Sequence, residues 1–441
     1  MPPRTHYVPY TTLNSDVNNT VMNDRVDRPT KFSKDEEHHL EQAALALQEW
    51  GVPLSIDEFL NLAKQYALSF NRSHLFSNGT PTTASNTTSP ISIAAKAYAV
   101  DSESTPFKLF NLERRMPAAD DVVIRIHYCG ICHTDIHQVY NEWHSSKYPM
   151  VPGHEITGIV EQVGSSVKHF RVGDTAGVGC MVDSCRKCHL CKKDAEQNCL
   201  DSCLTYNSTE LDKVTPTYGG YSNIITVKEH FVCKIPKNLP LDAAAPLLCA
   251  GITLYSPLRR YKADKNTRLA IVGLGGLGHI GVKLGAAMDA HVTVISTSES
   301  KRDDAMKLGA KAFLVSKDNE QMKAAENSID LIIDTVSAPH DVAPLINLLK
   351  FEGVYCAIGA PTKPLEIGAF TLLTKRPTIT GSLIGGMKET QEMLDFCGKH
   401  NITCDIEKIE ATPETIKAAY DRTVKADVKY RFVLDILNAF K

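Results

Sequence analysis

The chain has 441 residues, is 43% hydrophobic and carries a formal net charge of -3. That size and apolar content suffice for two or three packed domains. The balanced charge gives no reason to expect a nucleic-acid or acidic-membrane partner, and no run of eighteen apolar residues could span a bilayer. The 13 cysteines are an odd and scattered set, which points to a reducing, cytoplasmic setting rather than a disulfide scaffold. The first residues, MPPRTHYVPY, lack the apolar core of a secretory signal.

In chain order, residues 1–32 are polar and aperiodic and read as disordered. Residues 33–75 read as a short helical extension. Leu40, Ala43, Ala44, Leu47 and Trp50 recur at helical spacing, Gly51 and Pro53 stop that helix, and Ser55 to Glu58 caps a second. The stretch WGVPLSIDEFLNLAKQYAL weakly resembles a CENP-B or pogo transposase-type helix-turn-helix. Its surroundings hold Lys34, Lys64 and Arg72 against Asp35, Glu36, Glu37, Glu41, Glu49, Asp57 and Glu58. That acidic excess argues against DNA binding, and a fused appendage or a protein-interaction hairpin is favoured. Residues 76–92 are rich in Ser, Thr, Asn, Gly and Pro and read as a linker.

From residue 93 the composition is that of a globular enzyme. Val122–Ile126 begins a series of short, turn-bounded strands that runs to about Pro236. Beyond residue 250, strands at Leu269–Val272, His291–Ile295, Phe313–Val315, Leu331–Ile333 and Val354–Ile358 alternate with helical stretches. That is the pattern of a doubly wound parallel sheet.

Cys132, His154 and Cys249 are each weak signals alone. Together they make a Cys₂His set, the three-ligand arrangement that leaves one zinc position open for chemistry. Cys185, Cys188, Cys191 and Cys199 form a different set. Their spacing lets one loop wrap a single ion, and four thiolates close its shell, so this zinc would be structural. An iron–sulfur site would place the fourth cysteine three residues on and before proline. Here seven residues intervene and Leu200 follows. Two zinc ions per chain are expected.

Arg268–Val272 runs into Gly273, Gly275, Gly276 and Gly278, and a helical stretch begins there. A glycine pattern leaving a strand and opening a helix is a dinucleotide site: Gly273 permits the turn, Gly275 admits the pyrophosphate, and Gly278 lets helix and strand pack. The next strand ends in Ser296, Thr297 and Ser298, with Lys301 beyond. Small hydroxyls and a cation suit a 2′-phosphate, so NADP(H) is expected over NAD(H). Glu299 weighs the other way.

The stretches GICHTDIH, YPMVPGHEITG, VGCMVDSCRKCHLC, LDAAAPLLCAGITLYSPL, GLGGLGH, GSLIGG with ETQEML, and DVKYRFVLD resemble the zinc-dependent medium-chain alcohol dehydrogenases. Within them, the chain is most similar to the cinnamyl alcohol dehydrogenase-like, NADP-dependent group. The resemblance implies an α/β fold: a GroES-like β-rich catalytic domain (93–248 and 388–441) plus a Rossmann doubly wound cofactor domain (249–387). It implies catalytic zinc on Cys132, His154 and Cys249, with Glu155 as an exchangeable or neighbouring group. It also implies structural zinc on the four clustered cysteines.

The expected reaction is hydride transfer between NADP(H) and a primary alcohol or aldehyde, aromatic or medium-chain. Thr134 would bridge the substrate oxygen, and His137, three residues on, would pass its proton towards solvent. Asp135 would orient a ligand, and Trp143 would stand near the substrate. His144 replaces the family's usual glycine, which leaves the pocket shape open. The resemblance further implies a homodimer joined through the cofactor domains. The alternatives are a zinc-free quinone or enoyl reductase, or an NADP(H)-sensing regulator tethered through its N-terminal helices.

Overall fold

The computed structural model describes residues 92–361 and 363–440. The expected disordered terminus, helical extension, linker and helix-turn-helix resemblance all lie outside the described residues.

The described chain builds two large sheets. The first holds β3 (Asp121–Gly130), β4 (Ile156–Val163), β5 (Thr175–Val178), β8 (Ile224–Lys228), β9 (Cys233–Lys234), β16 (Ile406–Glu410) and β17 (Arg431–Asp435). Its order is β16-β17-β3-β4-β5-β9, with β8 also on β3. Pairing is antiparallel except between β16 and β17. A hairpin of β1 (Ser92–Ala99) and β2 (Lys108–Arg115) stands apart, as does the short pair β6 (Met181–Asp183) and β7 (Cys203–Leu204). Val122, Val123, Ile124 and Ile126 of β3 are fully buried while Arg125 is exposed, so β3 is covered on both faces. Each such aliphatic side chain contributes about 1.5–3 kcal/mol through burial.

The second sheet runs β12-β11-β10-β13-β14-β15, and every pairing is parallel. Its strands are β10 (Arg268–Val272), β11 (His291–Ser296), β12 (Ala312–Val315), β13 (Ile329–Asp334), β14 (Leu349–Ala357) and β15 (Thr378–Gly381). Leu269, Ala270 and Ile271 are completely buried, as expected of strands with helices on both faces. β14 begins five residues before the apolar run at Val354. Glu352 takes a positive φ of 60° and breaks the alternation that would have marked the earlier residues as strand.

Five helices position the candidate sites: α1 (His133–Val139), α2 (Ala250–Arg260), α3 (Gly278–Ala287), α4 (Ala369–Lys375) and α5 (Met387–His400). α3 starts where the glycine loop ends. Gly273 has φ 89°, and a Cβ on Gly278 would stand 1.9 Å from the Gly273 carbonyl oxygen. The four-cysteine lobe docks on the start of α5. Glu196 accepts the Met387 N–H at 3.2 Å, and His230 Nε2 lies 2.7 Å from its other oxygen. A Cβ on Gly386 would meet the Asp194 carbonyl oxygen at 1.9 Å. Gly386→Ala is therefore expected to cost about 2 kcal/mol or more by forcing backbone apart. Chemical denaturation would read it, and a variant as stable as the parent would refute the contact.

Candidate active site

Three segments distant in sequence bring Cys132, His154 and Cys249 together. Cys132 caps α1 and Cys249 caps α2. A helix N-terminus favours the thiolate form that binds metal. The Cys132 and Cys249 sulfurs are 3.9 Å apart, and His154 Nε2 lies 3.3 Å from Cys249 Sγ. One ligand atom from each of Cys132, His154, Glu155 and Cys249 falls within 4.8 Å of every other. Tetrahedral zinc with ligands at about 2.3 Å for sulfur and 2.0–2.1 Å for nitrogen needs edges of about 3.5–3.8 Å, which this set fits. The Cys249 contact, with Arg431 and His154 beyond it, holds the Cys132 thiol well below the ordinary thiol range.

Asp135 is the anchor of this arrangement. It is fully buried and accepts the Cys132 N–H at 2.8 Å and the Gly153 N–H at 3.2 Å, with His154 Nδ1 at 3.1 Å. That last contact directs Nε2 of the ring at the two thiols. Burial opposes the charge on His154, but Asp135 raises it well above the ordinary histidine value.

Glu155 is also fully buried, and neither carboxylate oxygen has a hydrogen-bond partner. Arg431 Nη2 stands 3.3 Å from Oε1, an ion pair without hydrogen-bond alignment. Burial pushes the Glu155 carboxyl up to about 8, with Arg431 pulling the other way. A buried, unsatisfied carboxylate beside two thiols and an imidazole suits a cation.

The sulfurs of Cys185, Cys188, Cys191 and Cys199 form a second set. Cys188 to Cys191 and Cys185 to Cys199 are 3.5 Å, Cys188 to Cys199 is 3.8 Å, and Cys185 to Cys191 is 3.9 Å. Four sulfurs around one tetrahedral zinc would be about 3.8 Å apart. The Lys187 and Cys188 amides hold the Cys185 thiol down at about 6. All thirteen cysteines are free of disulfides.

Thr134 is half-buried on α1, one turn from His137. His137 Nδ1 contacts the Glu142 carboxylate, its ring stacks on Trp143, and its buried Nε2 has no partner. Glu142 keeps 42% side-chain exposure, so the pair connects a buried nitrogen to solvent. His144 takes a positive φ of 55°, the backbone form that glycine accepts most readily.

At the glycine loop, a Cβ on Gly275 would meet nothing within 4 Å, whereas one on Gly276 would lie 3.0 Å from Arg431 Nε. Ser296 closes β11, with Thr297 and Ser298 just beyond it. Ser298 caps the following turn, and Lys301 Nζ donates to the Leu274 carbonyl at 3.1 Å, which brings it back to the glycine loop. Arg302 is committed to Glu299.

Three residues of the site carried no sequence signal. Arg431 opens β17 inside the DVKYRFVLD stretch, but no spacing or pattern there marks a role for it. Tyr206, whose ring stacks on His154 with centroids 5.8 Å apart, lies in an irregular loop. Glu142 is an ordinary acidic loop residue until the fold turns it onto His137. Next to Leu248, a cavity no larger than a water molecule is lined by Cys180, Leu248, Ile252, Ile384 and Met387.

Among known proteins, residues 118–237 match the alcohol dehydrogenase GroES-like domain, and residues 276–399 match the zinc-binding dehydrogenase family. Vomilenine reductase of Rauvolfia serpentina is 56% identical over 334 residues, 75% of this chain and 92% of the relative. Cinnamyl alcohol dehydrogenase 2 of the same plant is 54% identical over 351 residues, 79% of this chain and 97% of the relative. The structure of a cinnamyl alcohol dehydrogenase from Helicobacter pylori complexed with NADP(H) superposes with a TM-score of 0.74 at 40% identity. It covers 79% of this chain and all of that one. With both sulfur-rich sets assembled on a β-rich domain and a doubly wound sheet, the chain belongs to the zinc-dependent alcohol dehydrogenases, in their cinnamyl alcohol dehydrogenase-like group.

Proposed function

We propose that this chain transfers hydride between NADP(H) and a primary alcohol or aldehyde, working as an aldehyde reductase. The convergence of Cys132, His154 and Cys249 carries the reading, with Arg431 reaching from that set to Gly276. In this assignment those three residues hold catalytic zinc, Glu155 is its exchangeable fourth partner, and Cys185, Cys188, Cys191 and Cys199 hold structural zinc. Zinc supplies Lewis acidity towards a substrate oxygen, and the nicotinamide gives or takes the hydride.

The chain's own residues manage the proton. Thr134 positions the substrate hydroxyl, and His137 takes or gives its proton through the unpartnered Nε2. Nδ1, held by Glu142, keeps the ring oriented and opens a route to solvent. The cinnamyl alcohol dehydrogenase relatives support an aromatic primary alcohol or its aldehyde as substrate. The bound cofactor of the Helicobacter pylori relative supports NADP(H). So do the hydroxyls at Ser296, Thr297 and Ser298 with Lys301 beside them.

A homodimer through the cofactor domains is part of the proposal. Phe370 and Leu373 of α4 are 79% and 71% exposed, and Leu383, just past the edge strand β15, is 65% exposed. Large apolar groups clustered by an unpaired sheet edge suit a second copy. A cytoplasmic location agrees with thirteen cysteines that form no disulfide. Among the described residues, no single helix is long and apolar enough to cross a membrane.

Three outcomes test these assignments. Purified protein should contain two zinc ions and oxidise NADPH in preference to NADH with cinnamaldehyde. A strong chelator should abolish turnover, and preference for NADH would overturn the cofactor assignment while leaving the metal. His137→Gln should lower kcat by about 10²-fold, the scale of a lost proton-transfer group. Its zinc content should not change, and near-normal kcat would remove His137 from the relay. Leu373→Asp should convert a dimer to a monomer in light scattering, whereas an unchanged mass would move the interface elsewhere.

A further inference from the structure

Two loops leave the carboxyl ends of neighbouring strands at the point where the order of the parallel sheet reverses. β10 continues into the glycine loop, and β13 continues into residues 335–341. A dinucleotide bound to such a sheet lies in the crevice at that point. The two loops touch. Thr335 Oγ1 donates to the Val272 carbonyl at 2.7 Å, and a Cβ on Gly273 would stand 2.8 Å from Thr335 Oγ1 and 3.3 Å from Val336 Cγ2. The 335–341 loop therefore forms the wall opposite the phosphate-binding turn.

What holds that wall is a buried carboxylate. Asp334, the last residue of β13, is 2% exposed. Its Oδ1 accepts the Val336 N–H at 2.9 Å, and its Oδ2 accepts the Tyr355 hydroxyl at 2.5 Å. His340 Nε2 lies 2.7 Å from the same Oδ2. The other ring nitrogen, Nδ1, lies 2.9 Å from the Ala338 carbonyl oxygen. A carbonyl and an ionised carboxylate can only accept hydrogen bonds. Both contacts are satisfied together only when both ring nitrogens carry protons. His340 is thus placed as an imidazolium that ties the far end of the loop back to the strand it left.

We propose that protonated His340 clamps the 335–341 loop onto Asp334, and that this positioning residue tightens cofactor binding. The proposal rests on the reading that the chain binds NADP(H) at the glycine loop. The titratable groups facing His340 are Asp334 from β13, Asp341 from its own loop, and Tyr355 of β14 through the shared oxygen. Burial works against the imidazolium, but the Ala338 carbonyl and Asp334 raise His340 above its ordinary value. Burial and Asp334 also push the Tyr355 phenol far up, so it stays a donor throughout. A group raised in this way contributes fully at low pH, and its contribution is lost as pH rises through the raised value.

The test is calorimetric titration of NADP⁺ into the full-length, zinc-loaded protein across the pH range from near neutral to alkaline. Affinity of the parent should fall by about tenfold across that range through the loss of one favourable proton. His340→Gln should bind more weakly at neutral pH, and its affinity should fall about tenfold less than the parent's across the range. Ionisation of the ligand's own 2′-phosphate is common to both proteins and cancels in the comparison. A His340→Gln profile parallel to the parent's would overturn the clamp. Histidine NMR on the parent gives a second readout that needs no variant. By reciprocity, saturating NADP⁺ should raise the His340 titration midpoint. An unmoved midpoint would overturn the clamp while leaving the dehydrogenase reading intact. A parent protein that binds no nicotinamide cofactor would overturn both.

Discussion

One buried carboxylate sets the geometry on which the catalytic domain depends. Asp135 accepts hydrogen bonds from Cys132 N–H and Gly153 N–H and fixes the tautomer of His154. Those contacts join the start of α1 to the loop before β4, and each segment carries a member of the candidate ligand set. The third, Cys249, arrives at the cap of α2. Soft donors converging in a buried space repel as anions, and a cation relieves that repulsion. Neither Cys132 nor His154 is held in place by apolar packing alone, so both depend on the Asp135 carboxylate for their position.

The second organising charge is Arg431. It is 5% exposed, and its Nη1 donates to the Ile131 carbonyl at 3.2 Å, one residue before Cys132. Nη2 faces Glu155, and the aliphatic part and Nε lie where a side chain on Gly276 would be. Nε has no hydrogen-bond partner. A single guanidinium therefore touches the segment leading into Cys132, the carboxylate of Glu155 and the glycine loop. Burying it uncompensated would be costly, and Glu155 offsets part of that cost. The result is a buried link from β17 to the start of α1 and to the glycine loop before α3.

Legibility in the sequence followed distance along the chain. The four clustered cysteines and the glycine loop were readable because each is a local spacing with one physical use. The parallel strands were readable because burial on both faces leaves near-continuous apolar runs such as Leu269–Val272. Cys132, His154 and Cys249 could be joined only by their donor types and then by resemblance, since no spacing rule joins residues so far apart. Arg431, Tyr206 and Glu142 were silent. Each is a common residue type whose meaning comes from a partner brought in by the fold: Glu155, His154 and His137. Glu142 shows the point most sharply. It is five residues from His137, a separation that neither helix nor strand periodicity brings together, and the turn after α1 does so.

The structural lobe also reaches further than its own loop. Four thiols around one ion would fix Cys185 to Cys199 locally, yet Glu196 lies between the last two of them and is buried against α5. It accepts the Met387 amide, while Asp194 presses its carbonyl on Gly386. Gly385 and Met387 line the same small cavity as Cys180 and Leu248. An orphan amide at the start of α5 is satisfied from the lobe rather than by a local cap. The start of α5 therefore takes its position from a segment that has little apolar core of its own. In the assignment proposed above, an ion on the four clustered cysteines would have a use beyond its own loop, because tying Cys185 to Cys199 would also hold the side chain that caps α5.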